Sequence, residues 1–206
     1  MVAYNLTHLT QAESQEVVGP IQDDEALFLY SLTRVMRLKR ILEIGALGGY
    51  SARNFCAAVG NDGAVYSVDI NPIPKLAKNH FPIHKDARLL SSADVGGKPL
   101  DLVFFDCHIY DVQLALFHQL GADGVITETT VLVLHDTNLH PKQFAPWPYK
   151  IEEGWVHQPV ERRMVNEFKR LGYDAFVLDT QMQSHGPDLP YRHGVTVMRK
   201  FKPLAV

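Results

Sequence analysis

Cysteine is almost missing from this chain. Cys56 and Cys107 are its two copies, too few for a disulfide framework and without metal-type pairing. Their scarcity fits a reducing compartment, and the cytoplasm is the expected location. An excess of charge of one sign is missing too. The formal net charge is −3 over 206 residues, so no basic surface marks a nucleic-acid binder. The ten histidines are scattered. No apolar run reaches membrane-spanning length, and no membrane partner is expected. The first ten residues lack a basic stretch followed by an apolar one, so a signal peptide is not expected. Internal repeats and low-complexity tracts are absent as well. What is there is an apolar content of 46%, enough for one compact domain with a sizeable core.

Short β-rich runs alternate with helical stretches, which predicts an α/β fold with a parallel sheet covered by helices. Gln22 to Arg37 reads as a helix, with Asp23, Asp24 and Glu25 in the first turn, where the helix dipole favours acids. Strands are expected at 41–44, 65–68, 102–105 and 131–134, with a weak one at 83–85. Helices are expected at 50–59 and 112–120, stopped by Gly60 and Gly121. Pro159 opens a further helix whose Val160, Met164, Phe168 and Leu171 share one face. Arg162, Arg163, Lys169 and Arg170 read as its solvated side. Final strands are expected at 173–178 and 195–199, separated by a polar loop from Gln181 to His193. The stretch 140–159 holds Pro141, Pro146, Pro148 and Pro159 with Phe144, Trp147, Tyr149 and Trp155. It is too aromatic for a solvated linker and too proline-rich for a helix, and reads as a long ordered loop over a site. Residues 1–21 form a separate N-terminal segment, suited to a lid or a homodimer contact.

Three expected strands end in carboxylates: Asp69, Asp106 and Asp136. In open α/β sheets ligands bind beyond the carboxyl ends of the strands, so these acids converge on one place. The first turn reads Glu43-Ile44-Gly45-Ala46-Leu47-Gly48-Gly49-Tyr50-Ser51. A dinucleotide fold would want G-x-G-x-x-G there. Leu47 holds the second glycine position and Tyr50 the third, so a pyrophosphate would meet side chains. That disfavours an NAD-dependent oxidoreductase. A ligand without phosphate, such as S-adenosylmethionine (SAM), does not need the spacing.

ILEIGALGGYSARNF followed by VYSVDINP resembles the first two motifs of class I SAM-dependent O-methyltransferases. The likeness runs roughly from Pro20 to Phe201. It is nearest to small bacterial O-methyltransferases with a D-G-D-H-x-Y type motif, and to catechol O-methyltransferase in the metal site. The resemblance implies a Rossmann-like fold over 22–206: a mostly parallel seven-stranded sheet with an antiparallel last strand and helices on both faces. It implies that Gly45 and Gly49 line the methionine part of SAM, and that Glu43 supports the turn or the amino group. Tyr50 and Ser51 match the G-Y-S that holds the SAM carboxylate. Asp69 would take the ribose, with Ile70 beside it, and Asp86-Ala87 would border the adenine.

The same resemblance implies a divalent ion, Mg²⁺ first, between acids at the ends of the fourth and fifth strands. Asp106 and Asp136 are the expected ligands. His135 is the third candidate, with Thr137 and Asn138 as alternatives, and a transition metal would suit His135 better than Mg²⁺. The ion would lower the pKa of a substrate hydroxyl and hold it in line with the methyl group. His108 is the candidate general base, although Asp106-Cys107-His108 is one residue shorter than the family motif; Tyr110 matches the motif's tyrosine. Cys107 has no activating partner and reads as packing. The expected function is methyl transfer to a hydroxyl of a small molecule: a natural product, a sugar or a catechol-like acceptor. The alternatives are a metal-independent methyltransferase with His108 as base, and a SAM-binding module without turnover. Among loop histidines (His140, His157, His185, His193), the Arg192-His193-Gly194 step is the best candidate for substrate contact.

Overall fold

Three runs in the chain are apolar without interruption or nearly so: RILEI, LVFF and VLVL. Strands of that kind are buried on both faces and belong in the middle of a parallel sheet. In the computed structural model they do. It describes residues 21, 23–137, 149–151, 154–156, 160–178, 183–184, 190–191 and 194–200. In chain order the main elements are α1 (Asp23–Val35), β1 (Arg40–Ile44), α2 (Tyr50–Val59), β2 (Ala64–Asp69), β3 (His80–His84), β4 (Leu102–Phe105), α3 (Tyr110–Ala122) and β5 (Val131–Leu134). Then come β6 (Tyr149–Ile151), β7 (Gly154–Val156), α4 (Val160–Arg170), β8 (Asp174–Leu178), β9 (Gln183–Ser184), β10 (Pro190–Tyr191) and β11 (Val195–Arg199).

The main sheet has seven strands in the order β3-β2-β1-β4-β5-β11-β8. β1 pairs in parallel with β2 and β4, and β5 continues in parallel from β4. β11 runs antiparallel to both β5 and β8. This is the mostly parallel Rossmann-like sheet expected from the sequence. The edges follow from composition. β3 carries Pro82, which has no N–H to donate and is tolerated only at an edge. β8 leaves Phe176 and Val177 exposed on the opposite edge.

Successive strand residues point to opposite faces, and the two cores divide accordingly. Leu42, Ile44, Val103, Phe105, Leu132 and Leu134 pack with Leu116, Phe117, Leu120, Met164 and Phe168 from α3 and α4. Ile41, Leu102, Phe104, Val131 and Val133 pack with Ala26, Leu29, Phe55, Cys56 and Val59 from α1 and α2. Each large side chain so buried contributes roughly 2 kcal/mol.

Element limits differ from expectation in three places. α3 runs through Gly121 to Ala122, and Gly124 with φ +70 makes the turn that follows. Leu171 lies beyond α4 and is exposed, while Met164, Val165 and Phe168 form the buried face. The aromatic stretch contains a short ribbon in which Tyr149 faces Val156 and Ile151 faces Gly154. The remainder of 140–159 and residues 1–20 lie outside the described residues.

Candidate active site

β1 and its two parallel neighbours deliver their carboxyl ends to one rim, where the chain leaves each strand through a tight turn. After β1 the turn begins at Gly45, with φ +88. A Cβ there would collide with the Asp106 carbonyl oxygen and lie 2.9 Å from Cys107 Cα. Glycine is therefore demanded both by the left-handed backbone and by the close passage of the β4 end. Gly49, at φ +80, opens α2, and a Cβ would sit 2.7 Å from Leu76 Cδ1. Backbone N–H groups of Ala46 and Leu47 donate to Asp69 Oδ2 at 3.0 and 2.9 Å. Asp69 Oδ1 accepts from Asn71, at 2.8 Å from the backbone nitrogen and 3.3 Å from Nδ2. The glycine turn and the acid of β2 are thus joined directly.

Glu43 lies fully buried beneath the turn, and the Ser51 hydroxyl donates to its Oε1. Its Oε2 has no hydrogen-bond partner among the described residues. Burial pushes the Glu43 carboxyl up to about 7; hydrogen bonds from Ser51 and Ser67 oppose the rise, and Asp106 and Asp69 add to it. Ser51 is thus engaged below the turn, while Tyr50 at the start of α2 is half-buried. Ile70 is exposed beside Asp69. Asp86 caps the 3₁₀ turn Ala87–Leu89 by accepting from Arg88 N at 2.9 Å. The Arg88 side chain holds its carboxyl below the usual range. Lys85 N donates to Asp69 O at 3.0 Å, which keeps this segment beside the glycine turn, and Ala87 packs against the core.

At the ends of β4 and β5 the structure assembles alternating carboxylates and imidazoles. Glu25 of α1 lies 3.1 Å from His135 Nε2 through Oε2, and its Oε1 accepts from Gly194 N at 2.8 Å. His135 Nδ1 lies 3.1 Å from Asp106 Oδ1 and 3.3 Å from Asp136 Oδ1. His108 Nε2 lies 3.7 Å from Asp106 Oδ1 and 3.5 Å from Asp136 Oδ2. His108 Nδ1 meets Glu161 Oε1 of α4 at 3.0 Å. Burial opposes charge on His108, but Glu161, Asp106 and Asp136 outweigh it and push the imidazole up to about 10. Burial likewise opposes charge on His135, and Asp136, Asp106 and Glu25 raise it well above the ordinary value.

His135 contacts both Asp106 and Asp136, its expected fellow ligands, and His108 approaches the same two acids. His135 is fully buried, with a carboxylate against each ring nitrogen. It ties α1 to the strand ends. Among the described residues, ligand atoms of Asp106, His108 and Asp136 come within 4.8 Å of one another. Thr137 turns away to β11, where its Oγ1 accepts from Thr196 Oγ1 at 2.8 Å. Burial pushes the Cys107 thiol up to about 12, away from the thiolate form a nucleophile needs. Lys169 and Arg170 are exposed as expected, whereas Arg162 and Arg163 are less solvated. Arg162 Nε donates to Thr137 O at 2.6 Å, and Arg163 lies 4.1 Å over the Tyr110 ring. Asn138, His140, His157, His185, Arg192 and His193 lie outside the described residues.

Glu161 and Gln113 were not singled out in the sequence. Gln113 Nε2 donates to Glu161 Oε1 at 3.1 Å. Glu25 was noted only as a partner of the helix dipole. The faint signal for Glu161 is that it sits three residues before Met164, on the same side of the helix.

Known proteins bear on this arrangement. A family model described as O-methyltransferase matches residues 3–87, the stretch carrying the glycine turn and Asp69. An O-methyltransferase from Bacillus cereus, solved in complex with SAH, superposes with a TM-score of 0.64 at 16% identity, covering 95% of this chain and 92% of that one. The O-methyltransferase TomG from Streptomyces achromogenes, in complex with SAM, gives 0.62 at 19% identity, covering 95% and 90%. The SAH-bound methyltransferase PaMTH1 of Podospora anserina gives 0.63 at 16% identity, covering 96% and 87%. The chain has the class I methyltransferase fold, and its first part matches the O-methyltransferase family, as the glycine turn and Asp69 implied.

Proposed function

We propose that this protein transfers a methyl group from SAM to a hydroxyl of a small molecule, with a divalent cation held by Asp106, His108 and Asp136. The observation that carries the reading is the approach of those three ligand atoms to within 4.8 Å, at strand ends beside the glycine turn. The donor set is two carboxylate oxygens and one imidazole nitrogen. That mixture suits Mn²⁺ or another first-row divalent ion better than Mg²⁺, which prefers oxygen alone. Four carboxylates in the chain of contacts face two imidazoles, and the excess negative charge also favours a cation. When bound, such an ion would acidify a substrate hydroxyl and stabilise the developing oxyanion.

The remaining residues would bind and orient. Asp69 would accept from the ribose hydroxyls, with the 3.3 Å contact from Asn71 Nδ2 the bond most easily exchanged. Ile70 and the Asp86-Ala87 step would flank the adenine. The turn from Gly45 to Gly49 would face the methionine part, with Glu43 beneath it offering its unpartnered oxygen. The acceptor would be a natural product, a sugar or a catechol-like molecule, and the working compartment the cytoplasm. Among the described residues no helix is long and apolar enough to cross a membrane.

A cation-independent enzyme with His108 as general base is less well supported. A lone base has no need of two carboxylates converging on its Nε2, whereas a cation would use both. A binding module without turnover would have no need to gather repelling carboxylates. The test is transfer of labelled methyl from SAM to a panel of catechols, phenols and sugars, with and without chelator. Asp106→Ala and Asp136→Ala are each expected to lower the rate about 100-fold or more, and Mn²⁺ to restore chelated wild type. Full activity in chelator and in both variants would remove the metal-assisted reading.

A further inference from the structure

We infer that Glu161, on the first turn of α4, is the positioning residue that holds His108 in its working orientation. The inference rests on the reading that His108 belongs to the cation site, and names the residue on which that placement depends.

One oxygen of Glu161 takes three hydrogen bonds. Its Oε1 accepts from His108 N at 3.1 Å, meets His108 Nδ1 at 3.0 Å, and accepts from Gln113 Nε2 at 3.1 Å. The side chain is fully buried, and its second oxygen has no partner among the described residues. Burying a carboxylate with half its acceptor capacity unused is costly, so the position is not explained by packing. His108 itself has φ +57, a backbone state unfavourable for a residue with a Cβ by about 1 kcal/mol. Such a turn persists only where its surroundings fix it. Glu161 fixes it twice, at the backbone nitrogen and at the ring. The consequence is chemical. With Nδ1–H donated to Glu161, Nε2 is the nitrogen aimed at Asp106 and Asp136. A ligand histidine commonly has its other nitrogen held by a carboxylate in this way, and loss of that partner lowers metal affinity about 10- to 100-fold.

The experiment compares wild type with Glu161→Gln, Glu161→Ala and His108→Ala. Mn²⁺ binding is read by electron paramagnetic resonance, SAM binding by calorimetry, and the His108 ring protons by ¹H–¹⁵N NMR. Glu161→Ala is expected to weaken Mn²⁺ binding 10- to 100-fold with SAM affinity kept within about threefold. Its His108 Nδ1–H signal should broaden or vanish. Glu161→Gln, which keeps the shape, should shift that signal and weaken Mn²⁺ less, and it carries the test if the alanine variant does not fold. An unchanged Nδ1–H signal together with unchanged Mn²⁺ affinity in the folded Glu161 variants would overturn the inference. If His108→Ala also leaves Mn²⁺ binding unaltered, the cation-site reading falls with it. If His108→Ala weakens binding and the Glu161 variants do not, only the positioning role is lost. Should wild type bind no Mn²⁺, the NMR signal alone decides whether Glu161 orients the ring.

Discussion

Single residues here do work that their chemical type only half reveals. Gly45 reads in sequence as a cofactor-turn glycine, yet the atoms that forbid a side chain are the Asp106 carbonyl and Cys107 Cα. Asp69 reads as a ribose acid and is also the acceptor for two backbone N–H groups of the same turn. Glu43 reads as support for the turn, and the structure adds that its carboxyl is buried and pushed up to about 7. That shift has a defined sign. The folded-state pKa lies above the ordinary glutamate value of 4.5. Between these values the folded protein keeps a proton that the unfolded chain has released, so stability falls as pH rises from about 4.5 to about 7. Glu43→Gln removes the dependence. Urea unfolding at pH 5 and pH 8 should show the variant gaining a few kcal/mol on wild type at the higher pH. Parallel pH profiles for the two proteins would contradict it.

Helices and strands are joined at the rim by buried charge as well as by apolar packing. Glu25 links α1 to His135 after β5 and to Gly194 before β11, three elements held by one carboxylate. Breaking a buried charged pair by deleting one partner typically costs about 3–5 kcal/mol, because the other charge is left uncompensated. Glu25→Ala is therefore expected to lower stability by that amount, read as a fall in the midpoint of thermal or urea unfolding. A change of less than about 1 kcal/mol would show that His135 is not held as a charged group. α4 has a related double role. Met164 and Phe168 anchor it to the sheet, and that anchorage carries Glu161 to His108. Leu47, His108 and Asp136 all have positive φ without being glycine. They occupy the turns after β1, β4 and β5, so three of the four such residues described lie at the rim; the fourth, Arg37, follows α1.

The whole molecule places its ligands by topology. Strand order turns back at β1, between β2 and β4, and such a switch point opens a crevice beyond the strand ends. If SAM fills that crevice, it should stabilise the fold by mass action, by about 2.7 kcal/mol at a concentration 100 times its Kd. Thermal unfolding with SAM, SAH and NAD separates the readings: the first two should raise the midpoint and NAD should not. Stabilisation by NAD alone would overturn the assignment. How much of this was legible beforehand depends on range. The runs ILEI, LVFF and VLVL, the acids closing their strands and the glycine turn are local patterns, and local steric and hydrophobic preferences suffice to place them. Pairing between distant segments leaves no such trace. His108 and Glu161 are 53 residues apart, and Glu25 and His135 are 110 apart. That His108 and His135 both face Asp106 and Asp136, one backed by Glu161 and the other by Glu25, was decided only when the sheet brought α1 and α4 to the same rim.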